Sequence, residues 1–99
     1  NSEVETLQIK NQKTQEKREL SVDGVFVAVG AVPNTKEFQN LIQLDEAGYI
    51  AAEEDCRTNV AGIYAAGDIR TKALRQVVTA VSDGANAVYS AQKYLSELA

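Results

Sequence analysis

The sequence predicts an α/β fold. Three features carry that expectation: apolar runs of strand length in the first thirty residues, a second strand-length run Ile63-Tyr64-Ala65-Ala66 that closes on Gly67-Asp68, and a last segment whose apolar residues recur at helical spacing. A strand that ends in Gly-Asp and passes through a loop into a helix is the arrangement by which open α/β sheets hold ligands at the carboxyl ends of their strands.

The elements follow in order. Val4-Glu5-Thr6-Leu7-Gln8-Ile9, a polar turn over residues 11–15 and the stretch 17–22 predict a hairpin or meander. Asp23-Gly24 is a turn signal, and the uninterrupted Val25-Phe26-Val27-Ala28-Val29 predicts a strand buried on both faces. Residues 30–35, Gly-Ala-Val-Pro-Asn-Thr, mark a boundary or hinge, because Gly30 admits unusual backbone angles and Pro33 bars Val32 from a helix. Asn34 or Thr35 is placed to cap a short helix through Leu44, and Gly48 turns the chain into a short strand, Tyr49-Ile50-Ala51. The acidic run Glu53-Glu54-Asp55 reads as a solvated loop. From Leu74 to Leu98, apolar residues at 74, 77, 78, 81, 85, 88, 95 and 98 predict the longest helix of the chain.

Composition narrows the function classes. Ninety-nine residues, 44% hydrophobic and 24% charged, make at most one small domain's worth of globular chain. Ten basic against 14 acidic residues leave no positive patch dense enough for a phosphate backbone, so nucleic acid is not an expected partner. The longest apolar run falls far short of the roughly 20 residues of a membrane span. With no histidine and one cysteine, Cys56, the chain excludes an internal disulfide, a Cys/His zinc site, a Ser-His-Asp triad and a Cys-X-X-Cys pair of its own. No catalytic residue and no metal ligand set is expected within it. Opening on Asn-Ser-Glu in a strand pattern and closing on a helix, it reads as the tail of something longer.

Two places hold candidate binding residues. Asp68, just past its strand, offers two acceptor oxygens to a hydroxyl, and the small Ala65, Ala66 and Gly67 permit close approach of a cofactor. Arg75-Gln76-Val77 stands at the amino end of the last helix, where unpaired N–H groups and the positive end of the macrodipole favour an electron-rich atom. Gly84 inside the helix pattern implies close packing or a break. Asp55 beside Cys56 disfavours a reactive thiol. The four tyrosines, Tyr49, Tyr64, Tyr89 and Tyr94, read as packing residues.

The run Gly62-Ile63-Tyr64-Ala65-Ala66-Gly67-Asp68-Ile69-Arg70, continuing through Leu74-Arg75-Gln76-Val77-Val78-Thr79-Ala80 to Asp83-Gly84-Ala85, resembles the carboxyl-terminal FAD-binding signature of low-molecular-weight bacterial thioredoxin reductases. Val22-Asp23-Gly24-Val25-Phe26-Val27-Ala28-Val29-Gly30, with Pro33-Asn34-Thr35, resembles the same family's strand out of the NADPH-binding domain and its return to the FAD domain. Arg57-Thr58-Asn59-Val60 before Gly62 also fits. The chain departs from the family at Ala61 and Ala73, where proline is common.

The resemblance implies the carboxyl-terminal fragment of a two-domain, Rossmann-like flavoprotein with three-layer ββα domains. Residues 1–29 are then the last strands of the NADPH-binding domain and residues 30–99 a segment of the FAD-binding domain, with a hinge near 30–31. It implies that Gly67 lies against the cofactor, that Asp68 accepts a hydrogen bond from the ribitol, and that Ile69 and Arg75 lie along FAD. Gln76 and Val77 would present backbone amides to the pyrimidine edge of the flavin. The implied parent is a cytoplasmic, homodimeric thioredoxin-disulfide reductase passing electrons from NADPH through FAD to a dithiol and on to thioredoxin. Its dithiol and Gly-rich fingerprints would lie on a complementary amino-terminal part, leaving the 99 residues inactive alone. The alternatives are a peroxiredoxin reductase, a ferredoxin or flavodoxin NADP reductase of the same fold, and a non-catalytic binding module.

Overall fold

The structure, a computed structural model, describes residues 3–99. The chain forms two compact units, one ending at Gly30 and one running Ala31–Ala99.

The first unit is a two-stranded antiparallel hairpin, β1 (Thr6–Lys10) and β2 (Lys17–Ser21), in the register Thr6↔Ser21 to Lys10↔Lys17. Its turn is built by Asn11, whose side-chain oxygen accepts the N–H groups of Lys13 and Thr14 while its carbonyl accepts that of Gln15. Residues 25–29, expected as a buried strand, are not one. They carry no strand pairing, and Phe26 is fully exposed with Val27 and Val29 nearly so. A strand apolar on both faces is stable only between neighbouring strands, and the described residues supply none.

The second unit is loop-rich, with one short 3-10 helix (Lys36–Phe38) and one long helix, α1 (Val77–Leu98). The helix expected through Leu44 shrinks to that single turn. Thr35 does not cap it through its side chain; its hydroxyl donates instead to the Gly48 carbonyl at 2.6 Å, pinning the turn that glycine makes. The expected strands 49–51 and 63–66 survive as isolated bridges: Ile50 pairs antiparallel with Leu44 and parallel with Arg70, and Tyr64 antiparallel with Arg57. The Ile50 N–H donates to the Ile69 carbonyl and the Thr71 N–H to the Ile50 carbonyl, both at 2.9 Å, so the two segments lie edge to edge as short parallel neighbours. Ile42, Ile50, Ala52 and Ala65 form the core, with Leu44, Val60, Ile63 and Ile69 packed against it.

Helix α1 begins at Val77, three residues later than its apolar spacing predicts. It faces its own unit with Ala80, Asp83, Ala87, Ser90, Ala91 and Tyr94, while Val77, Val78, Val81, Val88, Leu95 and Leu98 are exposed. The inward face is small or polar because it seats on loops: the Ser90 hydroxyl donates to the Asp55 carbonyl at 2.8 Å and the Tyr64 hydroxyl to the Ser90 carbonyl at 3.2 Å. A Cβ at Gly62 would meet the Tyr94 ring at 3.4 Å. Tyr89, expected to pack, is exposed, and Gly84 has no heavy atom within 4 Å of where a Cβ would stand, so neither close packing nor a break explains it here.

Candidate functional site

The turn after Ala66 rests on a glycine because the backbone there is left-handed, with φ +84° at the buried Gly67. This reversal exposes Asp68 and sends the chain back so that the Arg70 N–H reaches the Gly67 carbonyl at 3.3 Å. Ile69 is half-buried, and its side chain packs on the core.

Arg75 joins this turn to the start of α1. Its Nε donates to the Asp68 carbonyl at 3.0 Å and its Nη2 to the Arg70 carbonyl at 3.2 Å, and the guanidinium lies 3.7 Å from the centroid of the Tyr49 ring. A planar cation on an aromatic face with two carbonyl acceptors is held in one orientation. The structure thus gives Arg75 a clamping role on the Asp68 turn.

At the helix start the two expected amide donors differ. The Gln76 N–H already donates to Thr79 Oγ1 at 3.0 Å, a contact between the N-cap and the first turn, so it is spent inside the chain rather than offered outward. Val77 is the first helical residue, and its N–H is one of the donors that helix geometry leaves without an intrahelical acceptor. The turn and the helix start are therefore brought together, with Asp68 and Val77 on exposed positions beside the Arg75 clamp.

Beneath them lies a charged cluster that sequence reasoning missed. Arg70 and Asp83 are each 2% exposed. Asp83 Oδ2 accepts Arg70 Nε at 2.8 Å, Lys72 Nζ at 2.6 Å and the Gly67 N–H at 2.8 Å, and Oδ1 accepts Arg70 Nη2 at 2.6 Å. The Arg70 pairing, with Lys72 and the Gly67 amide, holds the Asp83 carboxyl far below the usual carboxylate range against the opposing effect of burial. Glu54, largely exposed, stands 3.4 Å from Arg70. Asp83 and Arg70 lie thirteen residues apart with no local pattern linking them; the faint signal was an aspartate among the small inward-facing residues of α1.

Cys56 is fully buried with a left-handed φ of +60°, and its thiol donates to the Asp83 carbonyl at 3.3 Å. Burial first, then the Asp83 charge, push the thiol upward, which agrees with an inert cysteine. Among the described residues there is no group of metal-ligating side chains and no helix long and apolar enough to cross a membrane.

Residues 1–84 match the model of the family described as pyridine nucleotide-disulphide oxidoreductase. The chain belongs to this family. It is 57% identical over 79 residues to thioredoxin reductase of Listeria monocytogenes, across 80% of this chain and 25% of that protein. It is 45% identical over 98 residues to that of Bacillus subtilis, across 99% of this chain and 31% of that protein. Among solved structures, Lactococcus lactis thioredoxin reductase superposes with a TM-score of 0.87 at 42% identity, over 94% of this chain and 31% of that one. The chain therefore spans between a quarter and a third of the length of these pyridine nucleotide-disulphide oxidoreductases, and its fold is that of the matching part of the two-domain, Rossmann-like reductases.

Proposed function

We propose that this chain is the carboxyl-terminal part of an NADPH-dependent, FAD-containing thioredoxin reductase. The observation that supports it is the Arg75 clamp, which sets the exposed Asp68 of the left-handed Gly67 turn beside the amino end of α1. Residues 1–29 belong in this reading to the NADPH-binding domain and residues 30–99 to the FAD-binding domain, with Gly30 and Ala31 at the hinge.

The residues present suit a flavin. Asp68 would accept a hydroxyl of its ribityl chain, Gly67 would let the backbone lie close, and the Val77 N–H would meet the electron-rich pyrimidine edge of the ring. Gln76 supports that edge through its hold on Thr79, and Ile69 and Arg75 support the turn. When bound, FAD supplies the electron relay between a nicotinamide and a dithiol. The chain's own contribution is to bind and orient: the positive end of α1 favours negative charge at the ring edge, and Arg75 fixes the turn that carries Asp68. NADPH would bind mainly outside these residues. The partners of the whole enzyme are a thioredoxin-like dithiol protein, the complementary amino-terminal part and a second copy in a homodimer, in the cytoplasm.

The test is Asp68→Ala in the full-length protein. A hydrogen bond to a charged group contributes about 1.5–3 kcal/mol, so FAD affinity should fall by roughly ten- to a hundredfold, and flavin should be lost on dialysis. Undiminished flavin content would overturn the assignment of Asp68.

A further inference from the structure

We infer that Asp83 is a positioning residue for the flavin site, the buried acceptor that sets the Gly67-Asp68 turn against the amino end of α1. This rests on the reading of that turn as the flavin's seat. The argument is one of convergence. Asp83 stands on α1 less than two turns beyond Val77, and its carboxylate takes the backbone N–H of Gly67 at 2.8 Å. The same carboxylate holds Arg70 at the far end of the turn through two contacts, 2.6 and 2.8 Å long, and Lys72 in the loop that leads back to the helix. Arg70 in turn donates through Nη1 to the carbonyls of Ala52 at 3.3 Å and Thr71 at 2.8 Å. The Asp83 carboxylate thus ties the helix to both ends of the turn and, through Arg70, to the core segment behind it.

The pairing is also rigid. Arg70 and Asp83 meet through two parallel contacts with both side chains 3% exposed, a geometry that fixes angle as well as distance. Arg75 clamps the turn from the exposed side and Asp83 from below. Removing the lower clamp leaves Arg75 as the remaining side-chain link between Asp68 and the helix start, so the two flavin-facing groups lose their fixed separation. A site held by packed and hydrogen-bonded supports is sensitive to such a loss even where the supporting side chain does not touch the ligand.

The experiment uses the full-length flavoprotein with Asp83→Asn, which keeps the size and one acceptor oxygen, and Arg70→Gln, which breaks the same pairing from the other side. Asp68→Ala serves as comparator. The readouts are the Kd for FAD and, at saturating FAD, the visible circular dichroism and midpoint potential of the bound flavin. Asp83→Asn should raise the Kd about tenfold, as expected when a buried charged pairing is replaced by a poorer one, and should alter both flavin signals. Should Asp83→Asn not fold, Arg70→Gln decides, with the same expected direction. A role confined to stability lowers the thermal midpoint and leaves the saturated flavin's dichroism and potential unchanged; that result, alongside weakened FAD binding in Asp68→Ala, overturns the positioning role alone. If Asp68→Ala also binds FAD normally, the flavin seat itself is misassigned, and the inference falls with it.

Discussion

Asp83 keeps its charge inside the protein because four donated contacts from Arg70, Lys72 and the Gly67 amide outweigh the cost of leaving water. Its carboxyl is held below its ordinary value in the folded state, so it favours folding at every pH above the unfolded value of about 4 and withdraws that support as the pH falls below it. Unfolding by denaturant should therefore show stability steady from neutral pH to about pH 4 and a decline beneath it that is shallower in Asp83→Asn. An equally steep decline in both proteins would assign acid sensitivity to other carboxylates. At this scale the turn was legible and its anchor was not. Glycine followed by aspartate after a strand-like run has few local solutions, whereas a salt bridge between Arg70 and Asp83 exists only once the chain has folded back on itself. The sequence disfavours a reactive Cys56 on account of Asp55, whereas in the structure burial is the first cause that raises the thiol and the Asp83 charge the second.

Helix α1 shows why periodicity identifies an element without saying which face is inside. The apolar positions that made the helix legible, Val77, Val78, Val81, Val88, Leu95 and Leu98, are its exposed side, and Ala80, Ala87 and Ala91 seat it on the loops. Small residues allow that close seat, and the valine-rich side is left exposed. The strands failed as elements for a related reason: residues 25–29 and 63–66 have strand composition, but strands are defined by partners, and periodicity cannot report whether a partner is present. Gly84 gives the sharpest prediction here. It lies in unbroken helix with open space where a Cβ would stand, so Gly84→Ala should stabilise the 99-residue chain by about 0.5–1 kcal/mol. That corresponds to a rise of a few degrees in the thermal midpoint followed by far-ultraviolet circular dichroism. A lower midpoint would mean that a neighbour approaches Gly84.

Across the whole molecule, the buried apolar residues among those described are few and mostly small: Ile42, Ile50, Ala52, Ala65 and Cys56. Burial of that extent contributes little against the conformational entropy of ordering a chain of 99 residues, which costs on the order of 1 kcal/mol or more per residue. Meanwhile two apolar surfaces stand open, each in its own unit: residues 25–29, with Phe26 fully exposed, and the valine-rich side of α1. Exposed apolar surface and unpaired strand-like backbone both favour association. The same chain spans between 25% and 32% of the lengths of its thioredoxin reductase relatives, leaving ample protein to cover both surfaces. The 99 residues on their own should therefore self-associate, or pair with the complementary part of the enzyme when it is supplied. They should not retain flavin, because their six glycines contain no Gly-X-Gly-X-X-Gly turn to hold a dinucleotide pyrophosphate. Sedimentation velocity of the isolated chain, with absorbance read in the flavin band after incubation with FAD, tests both expectations at once. A compact monomer that unfolds cooperatively and carries one FAD per chain would show that these residues form a complete binding module, and the division of labour proposed for the reductase would have to be abandoned.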